Sequence, residues 1–311
     1  MISQVIATIL LIVSPYFVNG AGFLINATNT PEKEFPVSYG PKITAKSAVV
    51  LDLNSEKVLY EKNPHLVLPI ASITKLVSAL VFLDNNNIDW EKKIEIKEKD
   101  SEFKKESPYT SIDVIESGLQ PKQLRVAPGY KVKVRDIFNA GLIGSLNNLV
   151  NVLSRITSKP DNKNFADLMN EKAKDLGMNN SFFFEPTGLS PKNYSTAKDL
   201  ILLIKEAMEN SYLKKTLQRE EYSFNAYARN GSLLSFKVES TDKLLNTFIN
   251  FTGGKTGYLD ESGYCFVGMS RFENKNLAVV VLNADSSQDR FQEAKSLVWW
   301  SANQIDKANL D

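Results

Sequence analysis

Apolar residues recur along this chain with two different periods, and the changes of period mark out its elements. At 47–53 and 57–60 apolar runs flank the turn-forming group Asn54-Ser55-Glu56, which predicts a β-hairpin. Apolar residues at 73, 76, 77, 80, 81 and 83 fit helical periodicity instead, so a helix begins close to Ser72. A mostly helical pattern continues to about residue 210, with segments at 165–176 and 199–209 and a helix over 137–144 that runs into a turn. Strand-like runs return at 222–224, 233–236, 263–270 and 277–283. Residues 288–305 close as a helix with Trp299 and Trp300 near its apolar face. Strands at both ends of a helical middle predict one antiparallel sheet built from distant segments, an α+β arrangement.

Composition narrows the class. The 311 residues are 43% hydrophobic and 23% charged, enough to bury a sizeable core in one large domain or two closely packed lobes. With 37 basic and 36 acidic side chains the net charge is +1, which makes no electrostatic case for nucleic acid. Basic runs such as 122–135 and Lys214-Lys215 read as solvated faces. The N-terminus differs from the rest: residues 2–25 carry no charged side chain, and 5–13 form an apolar core followed by the small pair Gly20-Ala21. This predicts a signal peptide over 1–20, cut after Gly20, or the same segment retained as a membrane anchor. A flexible leader over 21–43, a folded domain over 44–306 and a short tail over 307–311 complete the expected organisation. The chain ends soon after the last predicted helix, so no further C-terminal β domain or amphipathic anchor is expected.

Three short polar groups carry the candidate chemistry: Ser72-Ile73-Thr74-Lys75, Ser145-Leu146-Asn147 and Lys255-Thr256-Gly257. Residues i and i+3 share a helix face, so the Lys75 amine can reach the Ser72 hydroxyl. Serine is a poor nucleophile until a base takes its proton, and lysine serves as that base only when burial and nearby positive charge lower its pKa. Lys255 is a candidate for that second charge. Competing schemes are few. The single histidine, His65, lies in a turn-like stretch, and a loop histidine is ordinarily a surface residue. The single cysteine, Cys265, sits in a predicted strand, where a buried thiol is the expectation; neither a disulfide nor a zinc site is implied, and no cofactor or metal is expected.

The three groups, in this order and at these separations, resemble the low-molecular-mass penicillin-binding proteins, the D-alanyl-D-alanine carboxypeptidase and endopeptidase family. Glu185-Pro186-Thr187-Gly188-Leu189 and Ser195-Thr196-Ala197-Lys198-Asp199-Leu200 are similar to further family signatures, and the likeness runs from about Thr44 to Asn303. The resemblance implies a β-lactamase/D,D-peptidase-like transpeptidase fold, with an antiparallel sheet, a helical lobe and the active site between them. It implies Ser72 as acylated nucleophile, Lys75 as general base and Ser145 as proton relay to the leaving amine. Asn147 would bond the substrate backbone, Lys255 and Thr256 would hold a substrate carboxylate, and Gly257 would let an extended peptide approach a strand edge. The backbone N–H groups of Ser72 and Tyr258 would form the oxyanion hole. Substrates would be peptidoglycan stem peptides, β-lactams would be covalent inhibitors, and the location would be extracytoplasmic.

The departures from the family pattern define the alternatives. Leu146 and Leu149 stand where the family more often has small or polar residues, and Asn148 competes with Asn147 for the amide role. The stretch 103–123 reads as a cleft-rim loop or a solvated insertion, the composition favouring the insertion. A serine β-lactamase shares the three groups but needs a base for deacylation, for which Glu185 is the candidate; its setting reads instead as a structural loop. A catalytically inactive cell-wall-binding relative would have Leu146 and Leu149 closing the cleft. Within the peptidase reading, terminal trimming and cross-link hydrolysis both stay open.

Overall fold

The computed structural model describes residues 40–84, 87–101, 126–159, 163–273 and 275–308, and side chains only as far as residue 303. The expected signal peptide, most of the leader and the 103–123 insertion lie outside the described residues. Among those residues, β1 (Ser47–Asp52) and β2 (Lys57–Lys62) form the expected hairpin. Asp52 shapes its turn by accepting from Asn54 N–H at 3.0 Å and Ser55 Oγ at 2.7 Å. Three long C-terminal strands, β9 (Phe251–Leu259), β10 (Gly263–Phe272) and β11 (Lys275–Ala284), join them in an antiparallel sheet of order β2-β1-β11-β10-β9.

Both faces of this sheet are covered, which explains the unbroken apolar run of β11. Successive strand residues point to opposite faces. Ala278, Val280 and Leu282 pack into the core of the helical lobe, while Leu277, Val279 and Val281 pack with α7 (Ser287–Ala308) through Ala294, Leu297 and Val298. Each fully buried Val or Leu contributes about 1.5–3 kcal/mol, so this two-faced burial makes β11 the spine of the fold. Trp300 meets Tyr60 edge-on at 5.9 Å, but Trp299 is 53% exposed. Consecutive residues lie about 100° apart around a helix, so only one of the two tryptophans reaches the sheet.

The helical lobe comprises α1 (Lys75–Leu83), α2 (Val134–Ile143), α3 (Asn147–Ile156), α4 (Phe165–Asp175), α5 (Ala197–Glu209) and α6 (Ser211–Leu217). Side-chain caps set three of its starts. Asn164 accepts from Asp167 N–H, Thr196 from Asp199 N–H, and Asn210 from the N–H groups of Tyr212 and Leu213.

Three features depart from the pattern-based expectation. The segments at 222–224 and 233–236 do not join the main sheet. They lie in β7 (Glu221–Tyr227) and β8 (Leu233–Glu239), part of a second sheet of order β4-β5-β7-β8 with β4 (Lys93–Glu95) and β5 (Lys131–Lys133). Phe224, Ala226, Phe236 and Val238 face the helical core from it, so that core, not the main sheet, is where these strands bury their apolar face. A two-stranded ladder pairs β3 (Leu68–Pro69) with β6 (Tyr194–Ser195), just before Ser72. β9 itself was not marked by periodicity, because Phe-Thr-Gly-Gly-Lys-Thr-Gly-Tyr-Leu has no apolar alternation; its ladder with β10 makes it a strand.

Candidate active site

Ser72 lies in a single 3-10 turn, Ala71–Thr74, that runs directly into α1. Ala71 has φ +47°, a left-handed conformation that costs a non-glycine residue about 1–2 kcal/mol. Such strain persists where the surroundings over-determine it, as they do around catalytic residues. The i to i+3 spacing brings Lys75 Nζ to 2.7 Å from Ser72 Oγ. Lys75 is fully buried and its Nζ donates to Thr187 O at 2.5 Å. Burial pushes the Lys75 ammonium down to about 7, against the opposing pull of the Glu185 charge. The sequence had offered the charge of Lys255 as a second cause. Lys255 is itself pushed well below the ordinary lysine range, by burial first and by the Lys75 charge second, and that repulsion acts on both amines.

The loop that supplies Thr187 O is organised by Glu185. Its carboxylate accepts from Thr187 N–H (2.7 Å), Thr187 Oγ1 (2.6 Å), Gly188 N–H (2.7 Å), Ser190 N–H (3.2 Å) and Asn193 Nδ2 (2.5 Å). Both oxygens are therefore engaged in holding the loop, which supports the structural reading of Glu185 over a water-activating one. Gly188 has φ +85°, and a Cβ there would stand 2.0 Å from Ala71 O, so the loop can press on the Ser72 turn only as glycine. Glu185→Gln presents an amide to donors now facing a carboxylate. The expected result is a loss of about 1–3 kcal/mol of stability with slower acylation of Ser72. Thermal unfolding and acylation rate by mass spectrometry check it. A β-lactamase base would instead leave acylation intact and trap the acyl-enzyme.

Ser145 sits between α2 and α3 in a left-handed conformation, φ +57°, and its Oγ accepts from Lys255 Nζ at 2.9 Å. Asn147 opens α3, is 5% exposed, and its Oδ1 is buried with no partner among the described residues. Asn148 is committed elsewhere: its Nδ2 donates to Val126 O at 3.1 Å and its Oδ1 accepts from Leu149 N–H. Leu146 and Leu149 are buried in the helical core, not projected into the cleft as the inactive-relative reading required. Their apolar character is packing.

The edge strand β9 brings the third group. Lys255 and Gly257 share the face towards the helical lobe, as their i, i+2 spacing demands. Lys255 is 1% exposed, and Thr256 is tied through Oγ1 to Thr241 Oγ1 at 2.7 Å. A Cβ at Gly257 would meet Ile70 O at 2.5 Å and Ser72 N at 3.3 Å. The space at Gly257 is thus filled by the Ser72 turn itself, which differs from the expected clearance for a substrate. With no side chain between them, the backbone at Gly257 lies against the Ser72 turn, and Tyr258 is the next residue of β9. Sequence reasoning missed three contributors: Thr187 through its carbonyl, Thr241, and Arg290, whose Nη1 donates to Gly257 O at 3.1 Å. Thr187 lies in one of the signature stretches, which does not mark its carbonyl, and Thr241 and Arg290 lie in no pattern. His65 is exposed, and Cys265 is fully buried with its thiol pushed up to about 11 by burial, so neither is poised for chemistry.

A serine served by a buried lysine one helical step away, set between a helical lobe and the edge of an antiparallel sheet, defines a class: the active-serine acyl-transfer enzymes. Solved structures share the fold. The Streptomyces K15 DD-transpeptidase matches with TM-score 0.74 at 24% identity, over 86% of this chain and all of that one (100%). Penicillin-binding protein D2 from Listeria monocytogenes, in its cefotaxime-bound form, matches with TM-score 0.66 at 28% identity, over 85% and 99% of the two chains. The D-alanyl-D-alanine endopeptidase of Pseudomonas aeruginosa is 33% identical over 279 residues, 89% of this chain and 82% of the relative. That of Escherichia coli is also 33% identical, over 84% of this chain and 78% of the relative. The sequence profile described as D-alanyl-D-alanine carboxypeptidase matches residues 33–286. The chain belongs to this family of serine D-alanyl-D-alanine peptidases.

Proposed function

We propose that this chain is a D-alanyl-D-alanine endopeptidase that hydrolyses cross-links between peptidoglycan stem peptides through an acyl-enzyme on Ser72. One observation carries the chemistry: a buried lysine amine 2.7 Å from a serine hydroxyl, lowered to about 7 and therefore able to accept a proton near neutrality. Ser72 Oγ attacks the D-alanyl carbonyl carbon as Lys75 Nζ takes its proton. The backbone N–H groups of Ser72 and Tyr258 hold the developing oxyanion. The C–N bond then breaks, with the proton delivered to the leaving amine through Ser145. Water adds to the acyl carbon, Lys75 again accepting a proton, and Ser72 is released. Asn147 bonds the substrate backbone, which suits its unpartnered buried Oδ1. Lys255 and Thr256 hold a carboxylate beside the scissile bond.

The endopeptidase assignment is favoured by the relatives: endopeptidases at 33% identity stand above the carboxypeptidases DacF of Bacillus subtilis at 26% and DacC of Escherichia coli at 28%. β-Lactams acylate Ser72 in this reading, and the uncharged segment over 2–25 directs the catalytic domain out of the cytoplasm. The test is digestion of purified muropeptides. Cross-linked dimers are expected to fall to monomers, with pentapeptide monomers cut more slowly. Release of terminal D-alanine with dimers untouched would overturn the endopeptidase assignment.

A further inference from the structure

The small ladder of β3 and β6 carries a row of exposed aromatic rings that none of the steps above uses. Phe182 extends that ladder: its N–H donates to Tyr194 O and Tyr194 N–H to Phe182 O, each at 3.0 Å. Residues paired across an antiparallel ladder point to the same face, and neighbours along an extended chain to opposite ones. Leu68, Ser195 and Phe183 turn inward: Phe183 and Ser195 are fully buried, and Leu68 packs against the helical core. Tyr194, Phe182 and Phe184 turn outward and are 37%, 41% and 51% exposed. The Phe182 and Tyr194 rings lie 5.8 Å apart with an angle of 30° between their planes, and Lys192 Nζ stands 4.8 Å from the centre of the Phe184 ring.

This face is tied to the reaction centre by both chain segments that build it. Phe184 immediately precedes Glu185, whose loop places Thr187 O on Lys75, and Pro69, paired with Tyr194, lies three residues before Ser72. Pro69 is therefore at most about 11 Å from Ser72, and Tyr194 one strand spacing of about 5 Å further. In the proposed substrate about four residues separate the glycan from the scissile D-alanyl bond, an extended span of roughly 13–14 Å. The sugar at the head of a stem bound at Ser72 thus comes within side-chain reach of the row. The surroundings are polar as well as aromatic. A groove of about 760 Å³ opens beside Phe182, lined on α4 by Asp167, Glu171 and Lys174 and across from it by Asn179. Flat rings cover the C–H faces of a pyranose, while amide, carboxylate and ammonium groups take its hydroxyl and acetamido groups. A protein partner would be matched better by an unbroken apolar patch depleted of charge.

We propose that the outward face of Phe182, Phe184 and Tyr194 is a glycan subsite: it stacks against the sugar strand that carries the stem peptide cut at Ser72, so that the enzyme selects peptide still attached to glycan. The inference rests on the peptidoglycan reading of the site. Binding energy from this remote part of the substrate serves the reaction by holding the scissile bond at Ser72.

The test uses cross-linked muropeptide dimers carrying their disaccharides and the same dimers freed of sugar by an amidase, with the wild-type chain and a double variant, Phe182→Leu with Tyr194→Leu. Leucine keeps the apolar bulk of each exposed position and removes the flat ring, so the variant should fold. Wild-type kcat/KM is expected to be about tenfold higher for the sugar-bearing dimer, the size of effect that two ring contacts supply. The variant loses that preference, while its cleavage of the sugar-free dimer and its acylation by benzylpenicillin stay within about twofold of wild type. Equal wild-type rates on the two dimers, or an equal loss on both in the variant, would overturn the inference. So would a wild-type chain that self-associates in solution through these rings, because a second copy would then occupy the face. A wild type that is acylated by benzylpenicillin but cuts neither dimer defeats the endopeptidase assignment alone. Saturation-transfer NMR with peptide-free glycan strands then decides the subsite: transfer to sugar protons that disappears in the double variant supports it. Transfer that persists in the variant, or is absent from the wild type, overturns it.

Discussion

Lys75→Met is expected to slow acylation of Ser72 by benzylpenicillin by about 10²–10⁴-fold, the range that a positioned general base contributes. The variant should fold, since methionine fills the fully buried lysine site without a charge to desolvate. The wild-type pH profile carries the same argument. A lysine lowered to about 7 is charged and unable to accept a proton below that value, and neutral above it. Acylation therefore rises with pH by about tenfold per unit below 7 and levels off above, as a single titration requires. Lys75→Met should lose this limb along with the rate. Rapid-mixing acylation kinetics from pH 5.5 to about 8.5 check both, a range that spans the expected midpoint. A wild-type rate independent of pH through this window would mean that Lys75 is not the base.

Gly257→Ala is the second large effect, and its cause lies in the chain's own backbone. The added Cβ would stand 2.5 Å from Ile70 O, closer than real Cβ contacts come, so either β9 or the Ser72 turn must move. Ser72 N, 3.3 Å from that Cβ, and Tyr258 N, in the next residue of β9, are the donors proposed for the oxyanion. Losing one such donor costs about 2.7–4 kcal/mol of transition-state stabilisation, so acylation should fall about 10²–10³-fold. The loss should appear in the acylation step, with substrate affinity changed little. If Gly257 instead clears room for a substrate strand, the variant would raise KM and leave kcat nearly intact. Steady-state kinetics on a D-alanyl peptide separate the two.

Much of the architecture was legible because its signals are local. The β1–β2 hairpin follows from apolar runs around Asn54-Ser55-Glu56, and α4 from periodicity after Asn164. The pairing of Ser72 with Lys75 needs only helical spacing. What the sequence concealed is either non-local or carried by main chain. β9 takes its conformation from the β10 ladder, and β7 and β8 choose the helical core over the main sheet because of packing far along the chain. Thr187 acts through a carbonyl that any residue has, and Thr241 through a position fifteen residues before Thr256, in a segment with no periodicity. Burial as the principal cause of the lowered Lys75 is likewise a property of the assembled core.

The measurement that tests the account most directly is intact-mass spectrometry of the chain from residue 21 onward, incubated with benzylpenicillin beside Ser72→Ala. The account predicts one stable penicilloyl adduct, mapped to Ser72 and absent from Ser72→Ala. An adduct that persists in Ser72→Ala, or unmodified wild-type protein with the drug intact, would contradict it.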